Sequence, residues 1–192
     1  MTAALARTAL RALLAAALLT AAPALALTYS AAMNGLQEVG PNASPASGYV
    51  TLTVIGNSLN VSMTWSGLTG GNPTAAHIHC CTDVGTNIGV AIGFPSFPST
   101  LSGSYNHDFD LLDPSIYTAS FLNTFGGGTA AGAEAALLAG LAAGRAYANI
   151  HNSTFPGGEI RGNLVPEPSS LALLASGLVG AAALGRKRRA AR

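Results

Sequence analysis

The chain has 192 residues, with nine basic side chains against eight acidic ones and a formal charge of +1. That near-neutrality is uneven: residues 27–165 carry only Arg145 and Arg161 against Glu38, Asp83, Asp108, Asp110, Asp113, Glu134 and Glu159, a net of −5 with no lysine. Nucleic acid is therefore not an expected partner, because binding by counterion release needs clustered cations facing phosphates.

The chain opens with Arg7 and Arg11, continues as ALLAAALLTAAPALA, and reaches the small-x-small triplet Ala24-Leu25-Ala26. A charged start, a short apolar core and a small-residue site describe a secretory signal peptide, residues 1–26, cut by signal peptidase after Ala26. The remaining core, residues 27–165, is of single-domain length.

Within it, Tyr49–Ile55 and Ser58–Trp65 alternate apolar and polar residues with period 2, and Gly56-Asn57 joins them as a hairpin. Further strands are expected at Thr74–Cys81, Gly89–Ile92, Leu101–Phe109, Arg145–Asn149 and Glu159–Leu164, divided by turns rich in Gly, Pro, Asn and Asp. Gly93–Ser102 contains two prolines and reads as a loop. Gly126-Gly127-Gly128 is a connector without the surroundings of a phosphate-binding fingerprint. Ala130–Gly144 is Ala/Leu-rich, places Leu137, Leu138 and Leu141 on one face, and predicts one short helix ended by Gly144. Short strands at this spacing predict an all-β, antiparallel sandwich or barrel.

The stretch AHIHCC concentrates the chemistry. On a strand His77, His79 and Cys81 share one face, while Ala76, Ile78 and Cys80 share the other. His151 follows a later strand and can approach them. Imidazole and thiolate suit copper or zinc, so one reading is a metal site of His77, His79 and His151, with Cys81 or Glu159 as fourth ligand. The alternative is a structural hydrogen-bond network joining the same histidines, with Glu159 paired to Arg161 on a shared face. Cys80 and Cys81 are the only cysteines. In an exported protein they read as a vicinal disulfide, as separate or intermolecular thiols, or, through Cys81, as a metal thiolate. His107 is expected at the surface. Asp108, Asp110 and Asp113 lack the EF-hand pattern and read as a solvated acidic edge. No Gly-x-Ser-x-Gly elbow is present, and no catalytic residue is assigned.

The C-terminal end, VPEPSSLALLASGLVGAAALGRKRRAAR, combines Pro166-Glu167-Pro168, a 15-residue apolar run from Leu171 to Gly185, and an Arg/Lys cluster. In that order these resemble the PEP-CTERM sorting signal of Gram-negative bacteria, here residues 166–192. The resemblance implies recognition by an exosortase-type membrane transpeptidase and a transient membrane anchor through a transmembrane-like helix. The basic cluster places the C-terminus in the cytoplasm and the preceding domain outside. The destination is then the cell surface or extracellular matrix.

The core carries a second resemblance. His77-Ile78-His79, then Gly144, Tyr147, Asn149 and His151 in LAAGRAYANIH, then Pro156, Gly158, Glu159, Ile160, Arg161 and Gly162 in PGGEIRG are similar to the CHRD (chordin-type) domain. Cys80-Cys81-Thr82 replaces the Gly-Pro-Ala that commonly follows His-Ile-His. The resemblance implies an immunoglobulin-like sandwich, flanked by the signal helix and the C-terminal helix. For function the resemblance implies little; the targeting signals lead to the expectation of a non-enzymatic binding or structural module, the low core charge suits an extracellular polysaccharide or protein ligand, and the alternative is a copper- or zinc-binding redox or metal-carrier protein that uses the His-x-His strand.

Overall fold

The computed structural model describes residues 26–168, so the expected signal helix and C-terminal apolar helix lie outside the described residues. Eight strands form: β1 Leu27–Asn34, β2 Ser47–Ile55, β3 Ser58–Ser66, β4 Pro73–Cys80, β5 Val90–Gly93, β6 Gly103–Asp110, β7 Ala146–Asn152 and β8 Ile160–Pro166. The hairpin read from the sequence is β2–β3, closing at the pair Ile55–Ser58. Among the described residues no helix is long and apolar enough to cross a membrane.

In place of two packed sheets, the strands make one antiparallel sheet in the order β5-β4-β7-β8-β1-β2-β3-β6, curled into a half-barrel. The reason is β1, a strand the sequence reading did not anticipate. It pairs with β2 along its whole length and with β8 through Tyr29–Pro166, Ser30–Val165 and Asn34–Arg161. It therefore splices β5-β4-β7-β8 to β2-β3-β6, which would otherwise face each other as separate sheets. Its alternation of Tyr29, Ala31 and Met33 toward the core is real. It is muted by alanines and adjoins the expected signal segment.

The inner face carries the apolar set of each strand, including Leu52, Leu59, Val61, Met63, Ile78, Ile150, Ile160 and Leu164, all at most 1% exposed. Burial of such side chains is worth about 1.5–3 kcal/mol each before chain entropy is counted. Two helices pack there. Helix α1, Ala119–Thr124, buries Phe121 and is capped by the Thr118 hydroxyl; the single expected helix appears as α2, Ala130–Ala142, capped by Thr129.

Helix α2 sends Ala133, Leu137, Gly140 and Leu141 inward. At Gly140 the helix rests on the sulfurs of Cys80 and Cys81: a Cβ there would overlap Cys80 Sγ and lie 2.7 Å from Cys81 Sγ. Gly140→Ala gains helix propensity of about 1 kcal/mol yet overpacks a rigid contact, which costs about 1–3 kcal/mol. Net destabilisation, read as a lowered urea midpoint, is expected.

The free edges at β5 and β6 approach without pairing. Phe94, just after β5, stacks on Tyr105 at 5.2 Å and meets Phe109 at 6.3 Å; Phe97 packs on Trp65 at 4.6 Å. His107, expected at the surface, shares the inner-face register of Tyr105 and Phe109 and is half-buried, its ring 4.6 Å from Phe109. The acidic edge is solvated as expected: Asp108 accepts from Asn60, Asp110 from Leu112 N, and Asp113 from Ser115 N. A cleft of about 870 Å³ follows the seam, lined by His77, Phe94, Phe97, His107, Phe109 and Tyr117 among others.

Candidate metal centre

The outer face of β4, β7 and β8 is polar, yet largely buried. Strand register sets its membership: His77 pairs with Asn149, His79 with Tyr147, and Asn149 in turn with Arg161. Paired residues point to the same side, so period 2 gathers His77, His79, Tyr147, Asn149, His151 and Arg161 on one patch. The loops 35–42 and 81–89 lie over it. Thr86 O and Asn87 Oδ1 each accept from Arg161 at 3.0 Å, and Ile88 O accepts from Tyr147 Oη at 3.4 Å.

Three imidazoles converge here. His77, His79 and His151 each offer a ring nitrogen, and these nitrogens lie within 4.8 Å of one another. His79 Nδ1 is 2.7 Å from Ile88 O, and His151 Nδ1 is 2.9 Å from Pro156 O. A carbonyl only accepts, so both Nδ1 atoms carry the proton. Burial pushes all three imidazoles below their usual pKa; His77, with His151 and His79 beside it as further causes, falls to about 4. The rings are therefore neutral at pH 7, and the Nε2 atoms of His79 and His151 present lone pairs. Those lone pairs face Asn149 Oδ1, itself an acceptor, at 3.1 and 2.9 Å. His77 Nδ1 is buried without any partner.

The same amide faces Glu38 on its other side. Glu38 is buried, its carboxylate lies beside Asn149 Nδ2 next to Gly158, and Oε1 has no hydrogen-bond partner. Turning the amide over would give both imidazoles a donor but set Oδ1 against the carboxylate. In either orientation two acceptors meet unless a proton or a metal ion enters, so the network is short of one positive charge. Backbone carbonyls holding Nδ1–H while Nε2 points inward is also the outer-sphere arrangement that fixes histidines on metals.

The other expected ligands stand elsewhere. Cys80 and Cys81 are joined in a disulfide across a cis peptide bond; Cys81 Sγ turns toward α2, 3.5 Å from Ala136 O, on the face opposite the imidazoles. Glu159 is fully buried in its own nest. Its Oε1 accepts from Ser44 Oγ at 2.6 Å, Thr69 N at 2.7 Å and Thr69 Oγ1 at 2.9 Å; Oε2 accepts from Gly70 N at 3.2 Å and from Asn152 Nδ2. Burial alone would raise its pKa, but these donors outweigh that and hold it below the usual range. Arg161 does not pair with Glu159. It is fully buried, with its guanidinium 3.3 Å over the Tyr147 ring, and it is bound to Asn163 and to loop 81–89. Glu38 and Tyr147 were missed as members of the patch. Tyr147 was legible from its alternation with Asn149 and His151, but nothing local in Gln37-Glu38-Val39 marks a buried carboxylate.

The Pro-Glu-Pro motif begins inside the folded domain. Pro166 ends β8, Glu167 N donates to Thr28 O at 2.9 Å, and the Glu167 carboxylate accepts from Ser30 Oγ. Residues 164–189 match the PEP-CTERM protein-sorting motif, and residues 29–164 match the CHRD domain. No curated protein and no solved structure matches the chain. The sorting motif implies an exported, cell-surface-directed protein processed by exosortase-type machinery. With more than half of its length covered by one family, the chain belongs to the CHRD domain family and carries a PEP-CTERM sorting motif at its C-terminal end.

Proposed function

We propose that this exported protein is a non-enzymatic module that binds a single transition-metal ion, zinc or copper, through His77, His79 and His151 at the cell surface or in the extracellular matrix. The observation that carries this reading is the pair of Nε2 lone pairs aimed at an acceptor, Asn149 Oδ1, with each opposite Nδ1 tied to a carbonyl. A donor stands there only when the Asn149 amide turns over and Glu38 carries a proton. Neutral imidazoles are the favoured nitrogen donors for Zn²⁺ and Cu²⁺. Tetrahedral metal–nitrogen bonds of ~2.0–2.1 Å put the ring nitrogens about 3.3 Å apart, so from within 4.8 Å of one another they draw together by up to about 1.5 Å. Three protein ligands leave a fourth position to water or an external ligand, and His77 borders the cleft through which one can arrive.

The test is the metal content of the exported protein. After stripping and reconstitution with Zn²⁺ or Cu²⁺, one ion per chain should survive dialysis. Less than about a tenth of an ion, with the fold intact by circular dichroism, would remove the metal and leave the network as a structural device.

A further inference from the structure

We propose that Glu38 is the buried counter-charge of the metal site, acting through the Asn149 amide, so that a metal cation on the three imidazoles and a proton on Glu38 exclude each other. The inference rests on the metal-binding reading and extends it to how the site is loaded.

The geometry makes Asn149 the link. One end of its amide lies against His79 and His151, the other against Glu38. A neutral Asn149 transmits charge state by orientation. With the proton on Glu38, the amide turns its NH₂ to the two Nε2 atoms and accepts from the carboxyl with Oδ1. With a metal ion on the imidazoles, the NH₂ instead serves the ionised carboxylate. In each state both ends of the Asn149 amide face complementary groups, and a half-state leaves two acceptors or two donors in contact.

Glu38 is poorly explained as a purely structural residue. It is 6% exposed, its Oε1 has no partner, and the one ion pair among the described residues is Arg145–Asp83. The chain leaves room for it: a Cβ on Gly158, which has φ +128°, would overlap Glu38 Oε1. The charged and titratable groups around it are Arg161 on β8, Tyr147 on β7 and, beyond Asn149, the three imidazoles. Burial raises its pKa to about 7, with Arg161 and the Asn149 hydrogen bond pulling the other way. A cation beyond Asn149 would drive that proton off, and it leaves to buffer.

The experiment is Zn²⁺ titration calorimetry on the metal-free exported protein in two buffers of different ionisation enthalpy, at pH 7 and pH 8, for wild type and Glu38→Gln. Wild type should release about half a proton per Zn²⁺ at pH 7 and close to none at pH 8, and Glu38→Gln none at either. The variant should bind Zn²⁺ about 10-fold more weakly at pH 8, in the range expected of a lost outer-sphere partner. The stability of the metal-free protein should move oppositely. A carboxyl whose pKa is raised on folding contributes stability at low pH and loses it as pH rises from about 4.5 through about 7. Glu38→Gln should therefore gain on wild type across that window, which reports the burial of the carboxyl, while the proton release on Zn²⁺ binding reports its coupling to the site. Equal affinity and equal proton release in the two proteins would overturn the inference while leaving the site standing; no Zn²⁺ binding by wild type would overturn both. If the variant does not fold, the wild-type proton release decides alone, and a value that does not fall between pH 7 and pH 8 refutes the coupling.

Discussion

His77→Ala is expected to weaken Zn²⁺ binding by more than about 100-fold while leaving the stability of the metal-free protein within about 1 kcal/mol of wild type. The two effects separate because of what His77 touches. Its Nδ1 is buried without a partner, and its ring meets His151 at 5.1 Å and His79 at 5.6 Å. Removing an unsatisfied buried polar atom returns about 1–3 kcal/mol, which offsets the packing lost on truncating a half-buried ring. Losing one of three protein ligands has no such offset, and it exceeds the 10–100-fold typical of outer-sphere changes. Competition with a chromogenic chelator reads the affinity, and urea unfolding in excess chelator reads the stability. A variant that unfolds yet binds metal as tightly as wild type would assign His77 to the scaffold instead.

Glu159→Gln is expected to be the most destabilising conservative change in the domain, costing about 3 kcal/mol or more. Five donors from four residues point at this carboxylate. An amide replaces one acceptor oxygen with an NH₂ group, so donors meet donors in a site without solvent. The loss propagates because the nest ties three connections together: the segment before β2 through Ser44, the β3–β4 loop through Thr69 and Gly70, and the β7–β8 turn through Asn152. Ser44→Ala, removing one donor, should cost only about 1 kcal/mol. The pH dependence carries a definite sign. A carboxyl held below its ordinary value of 4.5 contributes stability above that pH and loses it as pH falls through the folded value. The gap between wild type and Glu159→Gln should therefore narrow on acidification below about 4.5, which thermal unfolding at pH 3 and pH 7 measures. Zn²⁺ affinity per folded molecule should be unchanged, since the nest stands apart from the imidazoles.

The two glutamates show where reading a sequence stops. Glu159 lies in a segment with a family pattern, so it attracted a role, yet its natural partners from spacing, Arg161 and the histidines, are not its partners in space. Four of its five donors come from Ser44, Thr69 and Gly70, about 90 to 115 positions away, and ordinary hydroxyl and backbone groups carry no signal of that role. Glu38 sits in an irregular loop where a carboxylate looks solvated until the loop folds back over β8. His107 erred in the opposite direction: without a family motif it looked like surface, but the register Val61–His107 turns it inward.

By itself the sequence determined whatever is periodic or local. Alternation along β2 and β3 set the hairpin and its buried face; His-x-His at i and i+2 put two imidazoles on one side of β4; Ala and Leu at helical spacing made α2; and the C-terminal sorting motif marked an exported chain. The tertiary structure decided what depends on pairing between distant segments. Insertion of β1 between β8 and β2 turned two expected sheets into one. The β4–β7 register brought His151 to His77 and His79, and Asn149 between the imidazoles and Glu38. The end of β4 at Cys80 sent the cysteine pair to the α2 side, away from the histidines. Strand registers are fixed by the summed burial of an entire face, a quantity no single stretch of sequence contains.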